Sequence, residues 1–504
     1  MSERTFLKGA LFLSLAGIFS KIMGLILKMR LSVILGPEGS GIYSYPQQFY
    51  VMMIAISATG FASSISKLVA EKRSVGKMRE AHRVFHVSLV VMLVLSGIIT
   101  FLMLLFTPVA MRIWGESVYY AYIAVAVGPI FVSIMTSFRG YFQGMQLMQA
   151  TSVSQVFESA ARLVFGLGLA AFFAGASVAK AAGGASFGAA AGGVVGFGII
   201  LIYYMKNRGG IMNDLAADHH PQDKTSWQLA KELIAFTLPI TVNSVIVPLM
   251  PLFDSLLIKP RAVAGGYSPE MVDKMYAWLS SAVTVNGLPL TFTLALAVSL
   301  IPAVSKAVAK NDMPEANRKI NLSLRLGFLI GFPCFMGFLV IPEEIMVLLF
   351  PTFAGSGYVL QAYAICLIFM IVSQLMSYSL QGIGRPRIAT KNLMIGSAIK
   401  LFLSYFLIAW EPAVGASIAT LSAYLFISIS NFRAVKHFTQ IQFDKRILYA
   451  PMTASIVMGI VTYFVNRIFA NTLLSIGTAA VIYFVGVVVF GGIRKDEIKE
   501  MIGR

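Results

Sequence analysis

FLKGALFLSLAGIFSKIMGLILKMRLSVIL occupies residues 6–35, and Lys21 and Lys28 stand inside it. A helix crosses a bilayer with about 20 predominantly apolar residues, so this run is long enough to span. A cation near the bilayer centre costs at least ~2.5 kcal/mol even on lenient insertion scales, and its presence calls for a reason. Seven residues at 100° each return the second lysine to within about 20° of the first, so both leave the same face of the helix. One cationic face on an otherwise oily helix fits a bundle in which that face lines a water-filled cavity. The competing arrangement has the two lysines snorkelling to opposite interfaces, which suits Lys28, near the helix end, better than Lys21.

Composition outside this run agrees with it. Of 504 residues 57% are hydrophobic and only 12% charged, with a mean hydropathy of +0.78. That excludes a soluble globule and leaves an all-α polytopic membrane protein. A net charge of +18 would suggest nucleic acid in a soluble chain. Here it is sorted first by side of the membrane, and no nucleic-acid partner is expected. Cys334 and Cys366 lie in apolar runs and read as packing residues, not as a disulfide framework. The N-terminal MSERTFLK leads into a span too long for a signal-peptide core, so the first helix is expected to stay in the mature protein.

Apolar runs bounded by charges, Gly or Pro give about fourteen transmembrane helices. The first six are 6–35, 43–69, 84–107, 118–142, 149–175 and 181–205; the next six are 229–258, 275–301, 320–341, 357–382, 388–410 and 413–434; the last two are 447–469 and 472–491. With a cytoplasmic N-terminus, most of the 40 Lys and Arg fall on the cytoplasmic side. The chain is therefore expected to be a multi-pass protein of the cell membrane with both termini in the cytoplasm. The densest cluster, Lys67, Lys72, Arg73, Lys77, Arg79 and Arg83, reads as an orientation signal that also touches anionic headgroups of the surrounding membrane lipids.

The chain also repeats itself. SKLVAEKRSVGKMREAHRVFHVSL from Ser66 is echoed by SKAVAKNDMPEANRKINLSL from Ser305, and FQGMQLMQATSVSQ from Phe142 by LQGIGRPRIATKNL from Leu380. Two echoes at nearly one spacing imply duplication of a six-helix unit, and because six is even the copies are parallel. The expected organisation is an N-lobe at 1–206, a cytoplasmic linker at 207–228, a C-lobe at 229–436, and two further helices with a cytoplasmic tail at 437–504. Two parallel six-helix lobes around a central cavity are the geometry of alternating access.

Polar residues at membrane depth mark candidate sites. Thr151, Ser154, Gln155, Glu158, Ser159 and Arg162 recur by threes and fours on one face of the fifth span. Glu158 and Arg162, at i and i+4, are placed to neutralise each other, either at a substrate or as a lock between helices. Asp254 follows Pro248 and Pro251, which interrupt the seventh span and free carbonyls at depth. Such a carboxylate is a candidate for ion coupling, with a salt bridge to Lys259 as the alternative. Lys400 in the eleventh span and Arg325 in the ninth add cations, the latter near enough to the cytoplasm to snorkel. Gly184, Gly188, Gly192 and Gly196 repeat at the four-residue spacing that lets helix backbones pack closely. The sequence shows no P-loop, nucleophile elbow or metal-ligand cluster, so no enzyme activity, metal or cofactor is expected. Transport would draw on an ion gradient such as Na+ or H+, on the membrane potential, or on the substrate's own gradient.

Several of these stretches carry a family resemblance. TFLKGALFLSLAGIFSKIMGLIL, GPEGSGIYSYP from Gly36, SKLVAEK at 66–72, RGYFQGMQLMQATSVSQVFE at 139–158 and IPEEIMVLLFPTF from Ile341 resemble the polysaccharide-transport branch of the multidrug/oligosaccharidyl-lipid/polysaccharide exporter superfamily. Within that branch the chain is most similar to the group of lipid II flippases and sporulation membrane proteins. The resemblance implies fourteen helices in two lobes, a cationic cavity, and transfer of an undecaprenyl-diphosphate-linked saccharide, such as a peptidoglycan precursor, between leaflets. Lys21, Lys28, Arg139, Gln155, Glu158, Arg162 and Lys400 are the residues expected to meet that substrate. Lipid II flippases of the best-known type carry arginines along their first two helices, whereas here the first carries lysines and the second has no cation between Gln47 and Lys67. The departure points to an anionic lipid-linked glycan in general. An ion-coupled multidrug or cation antiporter would keep lone acids in its cavity, and a membrane scaffold for cell-wall synthesis proteins would leave the buried lysines unexplained. A monomer is expected.

Overall fold

The computed structural model describes residues 3–221, 224–441 and 445–491, so the expected tail at 492–504 lies outside the described residues. Helix α1 (Glu3–Ile54) bends at Gly36, whose φ of 66° a side chain would resist and which stands immediately before Pro37. The bend separates the first two expected spans, and the second continues through a π-helical turn at Ala55–Thr59 into α2 (Gly60–Ser74). There follow α3 (Met78–Leu105), α4 (Thr107–Trp114), a 3-10 turn at Glu116–Val118, α5 (Tyr119–Ala126), α6 (Gly128–Gly144), α7 (Met148–Ala174), α8 (Val178–Ala217) and α9 (Ser226–Ala264). The rest is α10 (Pro269–Ala309), α11 (Met313–Val340), α12 (Pro342–Leu349), α13 (Gly357–Ala364), α14 (Cys366–Gly382), α15 (Pro386–Trp410), α16 (Pro412–Thr439), α17 (Lys445–Phe469) and α18 (Thr472–Val489).

The protein is thus all-α among its described residues. Among the described residues eleven helical segments, with Glu116–Gly144 and Gly357–Gly382 each taken as one, are long and apolar enough to cross a membrane, or twelve with α9; the two expected N-terminal spans fall in α1 and α2, so the total is compatible with fourteen. Helix α9 bends by 46° between residues 242 and 244. Pro248 explains the place: it lacks the N–H that would bond the carbonyl of Ser244, four residues back, and its ring crowds that carbonyl. Cys334 and Cys366 are free thiols.

Packing divides the chain into two compact units, one running to Pro260 and including Pro269–Lys274, the other made of Arg261–Ser268 and Met275 onward. Helix α9 therefore packs with the first unit as far as Pro260. The reason is where α9 buries its apolar groups. Leu229 and Leu233 enter a core with Ile65, Phe85, Tyr141 and Phe142. The Lys67 ammonium lies 3.8 Å over the Phe236 ring, and a Cβ on Gly60 would meet the Thr241 hydroxyl at 2.3 Å. In the second unit, Asn431 ties α16 to its neighbours, accepting from Asn392 at 2.8 Å and donating to Ser377 at 2.9 Å.

Each unit contains a turn at each sequence echo, and the turns close alike. Gly76 N–H donates to the Arg73 carbonyl and Lys77 N–H to that of Lys72; Asn311 and Asp312 repeat the pair onto Val308 and Ala307. At the second echo, Gln146 and Leu147 donate to Gln143 and Phe142, and Gly384 and Arg385 to Gln381 and Leu380. All four are the paired 5→2 and 6→1 bonds that end a helix through a residue of positive φ.

Candidate functional site

The first unit holds a polar seam where α1, α6 and α7 meet. Helix α7 supplies it because Ser154, Gln155, Glu158, Ser159 and Arg162 share one face, and α8 lets α7 come close. A Cβ on Gly192 would lie 2.7 Å from the Glu158 carbonyl oxygen, on Gly188 2.8 Å from that of Arg162, and on Gly184 2.7 Å from that of Leu169. The glycine stripe of α8 is a backbone-packing surface. Ser154 Oγ donates to the Gly196 carbonyl at 2.9 Å, fixing the rotation of α7 against α8.

The charges of the seam pair differently from the spacing-based expectation. Glu158 accepts from Arg139 of α6 at 2.8 Å, and the same guanidinium donates to Ser154 Oγ at 2.9 Å. Arg162 donates to Gln47 Oε1 of α1 at 2.8 Å and lies 6.0 Å from the Tyr50 ring centre. Each member of the expected Glu158–Arg162 pair thus makes a contact to a second helix, while Glu158 still acts on the Arg162 charge from within α7. Glu158 lies one turn from Ser154, so a single guanidinium on α6 reaches both, while Arg162, one turn further along, comes level with Gln47 and Tyr50. Gln47 and Tyr50 were missed by the sequence reading because their only signal is the spacing of three residues in a stretch otherwise read as apolar. Two buried donors of the seam, Gln47 Nε2 and Arg139 Nε, have no hydrogen-bond partner within the described protein, as has the Thr151 hydroxyl.

Lys21 and Lys28 border this seam on α1. Ser20, next to Lys21, meets Ser159 Oγ at 2.8 Å, and Leu27, next to Lys28, packs beneath Gly166 of α7. Lys21 is exposed and Lys28 half-buried. Lys400 belongs to the other unit and is only 2% exposed there, enclosed within α15 and its neighbours, so in this conformation it is not open to a ligand. Within the first unit the structure thus brings Arg139, Ser154 and Glu158 together and sets Arg162 against Gln47 and Tyr50.

Asp254 is buried on α9. Lys259, considered as its partner, closes on Asp273 of α10, with Nζ 2.7 Å from both carboxylate oxygens and the Tyr45 hydroxyl donating to Oδ1 at 3.0 Å. A separation of five residues turns Lys259 about 140° around the helix from Asp254, which aims it elsewhere. Trp114 and Ser255 complete this second cluster: the indole donates to the Ser255 carbonyl at 2.7 Å, and the Ser255 hydroxyl donates to the Tyr45 backbone carbonyl at 3.1 Å.

Comparison with known proteins places this architecture. The family model described as polysaccharide biosynthesis protein matches residues 6–308. Stage V sporulation protein B of Bacillus subtilis (strain 168) is 25% identical over 100% of this chain and 99% of its own length. Lipid II flippase MurJ of the same organism is 24% identical over 85% of this chain and 82% of its own. Among solved structures, lipid II flippase MurJ in an inward closed conformation superposes with a TM-score of 0.71 at 14% identity, covering 95% of this chain and 98% of that one.

Proposed function

From the premise that the chain belongs to the polysaccharide biosynthesis protein family, in the polysaccharide-transport branch of the multidrug/oligosaccharidyl-lipid/polysaccharide superfamily, and is a flippase-type transporter, we propose that it moves an undecaprenyl-diphosphate-linked saccharide across the cytoplasmic membrane. A diphosphate headgroup is a multivalent anion that cannot cross hydrocarbon unaided. What supports this reading is that Lys21 and Lys28 stand seven residues apart on α1, next to Ser20 and Leu27, which touch α7, and that the buried Gln47 and Arg139 of the same unit still have donors to offer. The names of the sporulation and lipid II relatives support a peptidoglycan precursor as cargo. In this proposal the duplicated lobes, 1–206 and 229–436, alternate access with both termini in the cytoplasm, and Asp254 beside its broken helix couples an ion.

The test removes charge while keeping a polar side chain in place. Lys21→Gln with Lys28→Gln should lose most flipping of an undecaprenyl-diphosphate glycan in proteoliposomes, while Lys→Arg at both positions retains it, because charge survives when a point donor becomes a planar fork. At an effective dielectric near 20 a full Coulomb term at 4 Å is on the order of 4 kcal/mol, an upper guide to what the Gln variant forgoes. A Gln double variant that reaches the membrane at the normal level and flips at the wild-type rate would refute the proposal. Rescue of a bacterium depleted of its own lipid II flippase would identify the glycan.

A further inference from the structure

Four side chains of α3, Arg79, His82, Arg83 and His86, follow one another at i, i+3, i+4 and i+7 and so form one stripe of the helix. They line a pocket of about 560 Å³ with Met212, Leu215 and Ala216 at the C-terminal end of α8. The described lining holds no carboxylate. Neighbouring acids are engaged: Asp218 accepts from the backbone N–H groups of Arg79 and His220, Glu80 pairs with Lys72, and Asp214 pairs with Arg73. The basic groups are held in place. Arg79 Nε donates to the Leu215 carbonyl at 3.0 Å, Arg83 Nε to Ser226 Oγ at 3.1 Å, and Arg83 also to the Lys224 carbonyl at 3.0 Å. His82 contacts the Tyr141 hydroxyl at 3.3 Å and stands edge-on to His86 at 4.4 Å.

The same stripe continues along α3 as Val90, Leu93, Val94, Ile98 and Phe101, each more than half exposed. At 100° per residue Val90, Leu93 and Phe101 lie within about 60° of the centre of the basic stripe, Val94 and Ile98 are turned about 70° and 110° from it toward the Arg83 side, and Val90 begins about 6 Å beyond His86. An exposed apolar ridge on a membrane-crossing helix faces acyl chains, so the pocket sits where those chains meet their headgroups. Of the six cations that the sequence grouped here as a general headgroup-contacting cluster, Lys72 and Arg73 are paired to acids, and Arg79 and Arg83 turn into the pocket.

We propose that the Arg79–His82–Arg83–His86 pocket binds the phosphodiester headgroup of an anionic membrane phospholipid whose acyl chains lie along Val90, Leu93, Val94 and Ile98. This is a fixed lipid site, separate from the α1 lysines and independent of which molecule is transported. Native mass spectrometry of the purified full-length protein tests it, with dioleoyl-phosphatidylglycerol, dioleoyl-phosphatidylcholine, inorganic phosphate and undecaprenyl diphosphate as probes. Wild type should retain phosphatidylglycerol over phosphatidylcholine. Arg79→Gln should weaken that binding roughly five-fold, the effect of about one cation at an anionic surface, while Arg79→Lys and the distant Arg318→Gln leave it unchanged. Thermal melting of each variant separates loss of the site from loss of the fold. Equal retention of phosphatidylcholine, or phosphatidylglycerol binding unaffected by Arg79→Gln in a folded variant, overturns the proposal. Displacement of the lipid by inorganic phosphate overturns it in favour of a soluble anion. Tighter Arg79-dependent binding of undecaprenyl diphosphate overturns it in favour of the cargo.

Discussion

Two of the acid–cation pairs in the first unit, Lys259–Asp273 and Arg139–Glu158, are built to different standards of closure. Asp273 is gripped by Lys259 through both oxygens and by Tyr45, with side-chain exposures of 5% and 11% for the ion pair. The backbone around it is equally tight, since a Cβ on Gly41 of α1 would fall 2.1 Å from the Asp273 carbonyl oxygen. Glu158 is held by Arg139 through one oxygen, with exposures of 23% and 15%, and Arg139 Nε remains unspent. The first pair behaves as a lock and the second as a loaded surface. A lock needs every valence filled, whereas a surface that meets a ligand keeps some in reserve.

Breaking the lock should therefore give the largest loss of stability. Asp273→Ala leaves the Lys259 ammonium enclosed without its acid, and removal of one partner from a buried pair costs about 3–5 kcal/mol. Lys259→Met with Asp273→Leu removes both charges and should recover most of that loss. Melting of the three detergent-solubilised proteins checks the order. A single variant as stable as the double would mean the pair is not closed in solution.

The open pair should give less. Arg139→Gln keeps a donor to Ser154 but removes the charge facing Glu158, and solvent reaching a quarter-exposed carboxylate reduces the penalty to about 1–2 kcal/mol. Transport should fall further than that loss of stability accounts for, because the guanidinium also faces the seam. Comparing melting with flipping rate checks this, and parallel losses would make Arg139 another lock.

The same contrast explains what was legible in the chain. The all-α membrane class rests on composition, and the helices, the close packing at the α8 glycines and the shared polar face of α7 rest on periodicity within one segment. Glu158 was visible because Ser154 and Arg162 flank it in its own helix, yet its partner comes from α6, which no spacing within α7 reveals. Asp273 was not singled out at all: its partners are 14 and 228 residues away, and it stands at the edge of a span among ordinary surface charges. The packing of α9 with the first unit was hidden for a similar reason. Leu229 and Leu233 look like any apolar helix residues, and only the fold shows which core receives them.

The smallest expected effect is also set by a distant partner. Lys77, the residue before α3, makes no side-chain cap, and the helix N-terminus is served by Asp218 at the end of α8, whose Oδ2 accepts from Arg79 N–H at 2.7 Å while Oδ1 accepts from His220 N–H at 2.9 Å. These two backbone donors, with the His220 ring beside them, hold the carboxyl down to about 2. An unfolded aspartate titrates near about 3.9. A folded value below the unfolded one means that the stabilisation is present in full above about pH 4 and disappears as the pH falls toward 2. Asp218→Asn cannot reproduce the arrangement, because one end of an amide would present N–H groups to an N–H donor. Wild type should thus melt higher than Asp218→Asn at neutral pH, and the two curves should converge as the solution is acidified through that window. A gap that stays constant down to pH 2 would show that the side chain serves α3 by packing and not by charge, and would leave the α3 terminus capped only by solvent.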